Sequence, residues 1–145
     1  MILACDICAK HQGRGPLRGE LVGRTDLFWV YHAPADDHGL ARLGHLFIES
    51  DRHAPYLADL SLHESAGLGR LRSRLAAGLR RELDAEFVFA AVIGRGMAHF
   101  HEHLVTRHRG TPEEVPWHSS DDAAPRVDAD AVRDLARRLL PDVGD

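Results

Sequence analysis

The chain has 145 residues, 44% of them hydrophobic and 28% charged, which suits one soluble domain able to bury a core without disulfide staples. A formal charge of −4 argues against a general nucleic-acid polymer binder, because affinity for a polyanion needs a basic surface that releases counterions. No run reaches the 18 or more apolar residues of a membrane span, and Met1 to Ala4 is too short for the apolar core of a signal peptide, so a cytoplasmic location is expected.

Residues 1–19 carry Cys5-x-x-Cys8 and a Gly/Arg/Pro-rich stretch ending at Gly19, a knuckle-like start with turn signals and no sustained period. Both cysteines of the chain sit in this one motif. In a reducing compartment such a pair is a metal or redox element more readily than a disulfide, and the strand-into-helix context of a thioredoxin-type pair is absent. Zinc is the usual ion for sulfur with imidazole, and two further ligands are needed. His11, His45, His53, His99, His101, His103 and His108 are all candidates, and spacing does not choose among them.

Glu20–Arg24 and Leu27–Tyr31 read as a hairpin turning at Thr25-Asp26. A loop through Pro34, Asp36, Asp37 and Gly39 leads to a third strand at Leu43–Glu49. From Ser61 to Leu83, apolar residues at 62, 66, 68, 71, 75, 79 and 83 mark one face of a long helix, and Ser61 with Glu64 forms a capping-box signature at its start. Arg70, Arg72, Arg74, Arg80 and Arg81 read as its solvated side. Phe87–Ile93 and His99–Arg107 form a last strand pair, tightly joined by Gly94-Arg95-Gly96. After Arg109 the chain becomes polar and proline-spaced. Val132, Leu135, Ala136, Leu139 and Leu140 then mark a short amphipathic helix, placing residues 110–145 as an extension that packs back on a 1–109 unit.

The most informative segment is His99-Phe100-His101-Glu102-His103-Leu104-Val105. On a strand, alternate side chains share a face, so these three imidazoles would form a file with successive positions roughly 6.5–7 Å apart. Bases with pKa near neutrality in such a row suit acid/base work, attack on phosphorus, or metal binding. An ion held by four protein ligands would be structural, whereas one held by strand histidines with an open position would activate water. Trp29, Phe28 and Trp117 are aromatic faces on which a base could stack, the first two reading more readily as core.

The pattern resembles the histidine triad (HIT) superfamily, with its signature of three histidines alternating with apolar residues. A second block, Gly44-His45-Leu46-Phe47-Ile48-Glu49-Ser50-Asp51-Arg52-His53, is similar to that family's Gly-His strand ending in a basic residue and histidine. The resemblance covers about residues 5–109. It implies an α+β fold with an antiparallel sheet of about five strands, a long helix packed on it, and commonly a homodimer. It also implies a nucleotide hydrolase or nucleotidyl transferase acting on a phosphoanhydride, phosphoester or phosphoramidate of a small nucleotide. Under it, His101 would attack phosphorus, His103 would contact the phosphate or leaving group, and Cys5, Cys8, His53 and His99 would bind a structural zinc. A non-catalytic nucleotide-binding module, or a hydrolase using an open zinc site, is the alternative. Three positions depart from the family pattern. Glu102 stands where an apolar residue is usual; His32 stands where an aspartate holds ribose, with Asp36 and Asp37 nearby; and the amides preceding the triad are missing, which leaves Arg95 as the candidate replacement phosphate donor.

Overall fold

A computed structural model describes residues 4–144. Met1–Leu3, most of the segment weighed above as a signal-peptide core, and Asp145 lie outside the described residues. In chain order the elements are α1 (Asp6–His11), β1 (Glu20–Arg24), β2 (Phe28–His32), β3 (Ala41–Arg42), β4 (Leu46–Ser50), α2 (Leu62–Glu82), β5 (Ala85–Ala91), β6 (His101–His108), β7 (Arg126–Val127) and α3 (Ala129–Val143).

The main sheet is antiparallel with strand order β1-β2-β4-β6-β5. Thr25 closes the first hairpin, its hydroxyl accepting from the backbone N–H groups of Leu27 (3.1 Å) and Phe28 (3.0 Å). The α2 capping box forms as the spacing predicts: Ser61 Oγ accepts from Glu64 N at 3.0 Å, and the Glu64 carboxylate accepts from Ser61 N at 2.7 Å.

Period-3.6 and period-2 patterns meet in one core. Leu68, Leu71, Leu75 and Leu79 of α2 bury against Val30, Ile48 and Leu104 of the central strands. Truncating one of these leucines to alanine would cost about 2–5 kcal/mol. Leu135, Ala136, Leu139 and Val143 of α3 enter the same cluster, so the C-terminal helix completes the core. It lies over β1 at Gly23, where a Cβ would come within 3.0 Å of Leu140 and 3.2 Å of Val143.

Four expectations change. The third strand begins at Leu46 because Gly44 turns the chain at φ +85°, and a Cβ there would lie 2.6 Å from Thr106 Oγ1. The last strand pair is displaced to 85–91 and 101–108, so residues 92–100 form a long connection instead of a tight glycine turn. His99 consequently precedes the strand. The arginines of α2 are not uniformly solvated: Arg72 reaches Glu102, Arg81 binds Asp142, and Arg74 donates to the Asp142 carbonyl. Those partners lie on other elements, where helical periodicity carries no information. No helix among the described residues is long and apolar enough to cross a membrane.

Candidate active site and metal centre

The face of the sheet away from α2 presents Tyr31, Phe47, Glu49, His101 and His103 in neighbouring register, with Phe47 opposite His103 and Glu49 opposite His101. Helix α1 covers one end of this face. Its N-cap is Cys5, whose Sγ accepts from Cys8 N at 3.4 Å.

Cys5, Cys8, His53 and His99 bring one donor atom each within 4.8 Å of one another. Four of the six separations are 3.3 Å (Cys5 Sγ to His99 Nδ1), 3.4 Å (Cys8 Sγ to His99 Nδ1), 3.5 Å (Cys8 Sγ to His53 Nδ1) and 3.2 Å (His53 Nδ1 to His99 Nδ1). A tetrahedral zinc with Zn–N of about 2.0–2.1 Å and Zn–S of about 2.3 Å spaces its ligands by roughly 3.3–3.8 Å, so the cluster has the size of such a site. The tautomer fits as well. His99 Nε2 lies 2.7 Å from the Ser50 carbonyl, which can only accept; the proton therefore sits on Nε2 and the Nδ1 lone pair faces the cluster. Burial, and then the neighbouring Cys5 sulfur, push the Cys8 thiol up to about 11, the behaviour of crowded sulfurs that a cation would reverse. Arg52 fixes the loop leading to His53 by a two-point contact with Glu64, at 3.0 and 2.7 Å.

The other metal candidates are engaged elsewhere. His11 Nε2 contacts Glu49 at 2.8 Å and its ring stacks on Trp29. His108 Nε2 donates to Leu43 O at 2.8 Å, and His45 joins the histidine row.

In that row, the His101 and His103 rings lie 5.5 Å apart, both lining a cavity of about 450 Å³ with Lys10, Arg18, Phe47 and Glu49. His101 Nδ1 is 2.8 Å from the His99 carbonyl, which again fixes the proton on Nδ1 and leaves the Nε2 lone pair free. His103 Nδ1 contacts His45 Nε2 at 3.0 Å, and His45 Nδ1 contacts Asp121 Oδ2 at 3.0 Å. Burial, and then the neighbouring His45 and His101, push His103 down to about 4. His103 is therefore neutral at pH 7.

No protein-family model and no curated protein matches the sequence. Solved structures do. A zinc-bound histidine triad family protein from Mycobacterium smegmatis aligns over 97% of this chain and 93% of its own, with a TM-score of 0.68 and 21% identity. A histidine triad protein from Bradyrhizobium japonicum gives a TM-score of 0.70 at 20% identity, over 87% of this chain and 91% of that one. The chain has the histidine triad fold. A hypothetical histidine triad nucleotide-binding protein from Sulfolobus tokodaii shares it too, with a TM-score of 0.67 at 16% identity over 96% and 91% of the two chains.

Within the histidine triad fold, the positions that depart from the family pattern take other places. His32 is a buried structural group: its Nδ1 donates to Ala33 O at 2.8 Å, and its Nε2 accepts from Gly44 N at 3.0 Å. Asp36 caps its own loop by accepting from His38 N and Leu40 N. Neither Asp37 nor Arg95 is among the residues lining the cavity. Met97 of the same connection as Arg95 does line it. Of the aromatics, Phe28 is core, and Trp117 packs on Phe89 at 5.5 Å, away from the cavity. Sequence reasoning missed Lys10, Arg18, Glu49 and Asp121. Glu49 lies in the Gly44–His53 block, but nothing local marks its role; sheet register and helix docking bring these residues to the site.

Proposed function

We propose that this protein is a nucleotide hydrolase or nucleotidyl transferase of the histidine triad type, acting on a phosphoanhydride, phosphoester or phosphoramidate bond through a covalent intermediate on His101. The observation that carries this is the His101 ring: its Nδ1 donates to a backbone carbonyl, and its Nε2, with no hydrogen-bond partner among the described residues, belongs to a side chain lining the cavity. A nitrogen with its lone pair exposed and its proton held at the far side of the ring is a competent nucleophile at pH 7.

In the first step the His101 Nε2 lone pair forms a bond to phosphorus while the bond from phosphorus to the leaving group breaks. His103, neutral and beside it, supplies a proton to the departing atom or donates to a phosphate oxygen. Water or a second acceptor then attacks phosphorus, loses its proton to His103, and releases His101. Splitting one displacement into two is the usual gain of covalent catalysis.

Zinc, when bound by Cys5, Cys8, His53 and His99, would tie α1 to the strand-β6 approach, and four protein donors leave it no position for water. Its role in this reading is structural. The ligand is a small nucleotide or similar phosphorylated molecule, the protein is cytoplasmic, and residues 110–145 form an extension of the 1–109 unit. The open edge of β5, where Phe87 is 55% exposed, supports a homodimer.

The test is turnover of a panel of adenosine 5′-phosphoramidates and dinucleoside polyphosphates followed by phosphorus NMR, comparing the wild-type protein with His101→Ala. Loss of turnover and of any phosphorus–histidine signal, at unchanged zinc content, is expected. Turnover in the variant at the wild-type rate would end the proposal, and nucleotide binding without product in the wild type would favour a binding module.

A further inference from the structure

The C-terminal extension reaches the site through one carboxylate. Asp121 sits in the 3₁₀ helix Trp117–Ala123 and makes the 3.0 Å contact with His45 Nδ1; Arg42 Nη1 donates to the same oxygen at 3.0 Å. Three anchors fix this segment. The buried Arg107 guanidinium donates to Pro112 O, Val115 O and Ser120 Oγ at 2.9–3.0 Å; Leu43 N donates to Pro125 O at 3.0 Å; and β7 pairs with β3 directly beyond it. Asp121 and His45 side chains are each only 15% exposed.

We propose that Asp121 is a positioning residue for the reaction, acting through His45 to set which nitrogen of His103 offers a proton to the leaving group. This rests on the histidine triad reading of the site. A carboxylate can only accept, so it requires the His45 proton at Nδ1. With a second proton on His45 Nε2, the chain runs in one direction: His45 Nδ1–H donates to Asp121, His45 Nε2–H donates to His103 Nδ1, and His103 carries its own proton on Nε2, on a ring that lines the cavity. Two hydrogen bonds of 3.0 Å thus orient the last donor.

The proton balance follows. As the bond from phosphorus to the leaving group breaks, its electron pair stays on the leaving atom, which takes the Nε2 proton of His103. His103 Nδ1 takes the Nε2 proton of His45, and His45 ends neutral with its Nδ1 proton still on Asp121. When water attacks the phosphohistidine, its proton goes to His103 Nε2, and the Nδ1 proton returns to His45. Asp121 itself is never protonated. Burial raises its carboxyl, but the hydrogen bonds and charges of His45 and Arg42 outweigh that and hold it below its ordinary range.

A merely structural carboxylate would slow the first step on all substrates alike; a positioning one matters in that step only where the leaving group needs a proton, and kcat/KM reports that step without the later attack of water. The experiment compares Asp121→Asn, Asp121→Glu and the neighbouring control Asp122→Asn in the full chain with zinc bound. The two probes are an adenosine 5′-phosphoramidate with an alkylamine leaving group and the 4-nitrophenyl ester of adenosine monophosphate. Asp121→Asn should lower kcat/KM on the alkylamine substrate about 100-fold and on the nitrophenyl ester less than about 5-fold, because removing a group that fixes a catalytic tautomer costs on this order or more. Asp121→Glu should recover part of the loss, and Asp122→Asn should behave as wild type.

Equal losses on both substrates, or none, would overturn the proposal. Nitrogen-15 NMR of the imidazoles supplies a readout independent of turnover: the His45 Nδ1–H signature should be lost or shifted in Asp121→Asn, and an unchanged pattern also overturns it. Should the wild-type protein turn over neither probe, the enzymatic reading fails by itself, and the proposal fails with it.

Discussion

Arg72 and Glu102 meet at the interface between α2 and the sheet, with Nε and Nη2 donating to the two carboxylate oxygens at 2.8 and 2.6 Å. Glu102 is only 2% exposed and occupies the helix-facing side of β6 between His101 and His103. The arginine shields its stem against the sheet and keeps its head near solvent, which lets a charged residue stand where an apolar one would be usual.

Removing one partner of this pair strands the other. Arg72→Ala should destabilise the fold by about 3 kcal/mol, because an unpaired buried carboxylate remains. The double variant Arg72→Met with Glu102→Leu should return to within about 1 kcal/mol of wild type. Urea titration of the three variants decides it. A cost below about 0.5 kcal/mol for Arg72→Ala would mean that the pair contributes nothing.

Chelation should lower stability and activity together. Four donors around one ion tie the N-terminal segment to the approach to β6, so demetallation should reduce the thermal midpoint by about 5–15 °C. Metal content by mass spectrometry and calorimetry with and without chelator measure this. Activity lost at an unchanged midpoint would instead mean an ion with an open, catalytic position.

Acid should weaken the fold between pH 6.5 and 4. His103 is pushed down to about 4, and burial pushes His32 down also; the folded state resists protons that the unfolded chain accepts below its ordinary histidine pKa of about 6.5. The unfolded state therefore binds more protons in that window, and stability falls as pH drops through it, by up to about 3 kcal/mol for a group displaced as far as His103. Glu64, held at about 2 by its hydrogen bonds from Arg52, keeps its full contribution above pH 4.5 and does not confound the measurement. Urea midpoints at pH 7.5, 6.0 and 5.0 should show the decline, with a smaller slope in His103→Asn. A pH-independent midpoint would contradict it.

Association should run through the free edge of β5. Phe87, 55% exposed on that strand, is the residue whose replacement should matter most. Sedimentation should give a dimer for the wild-type protein and a monomer for Phe87→Glu, with the far-ultraviolet spectrum unchanged. A wild-type monomer at micromolar concentration would remove the proposed homodimer.

Local chemistry made much of this molecule legible from sequence. The Ser61–Glu64 capping box, the apolar spacing of α2 and the alternating strands report themselves through contacts within a few residues, so element type follows from pattern, while the five-strand antiparallel sheet was what the resemblance implied. The resemblance supplied the set Cys5, Cys8, His53 and His99, and the structure gathers these four donors. Pattern could not supply what lies between elements: the Arg72–Glu102 pair, the burial of His32 under Gly44, the place of Met97 on the cavity wall, or the arrival of Asp121 beside His45 from 76 residues away. These depend on strand register and on how α3 and its preceding segment dock. Both are settled by long-range packing, which leaves no periodic trace in the residues it brings together.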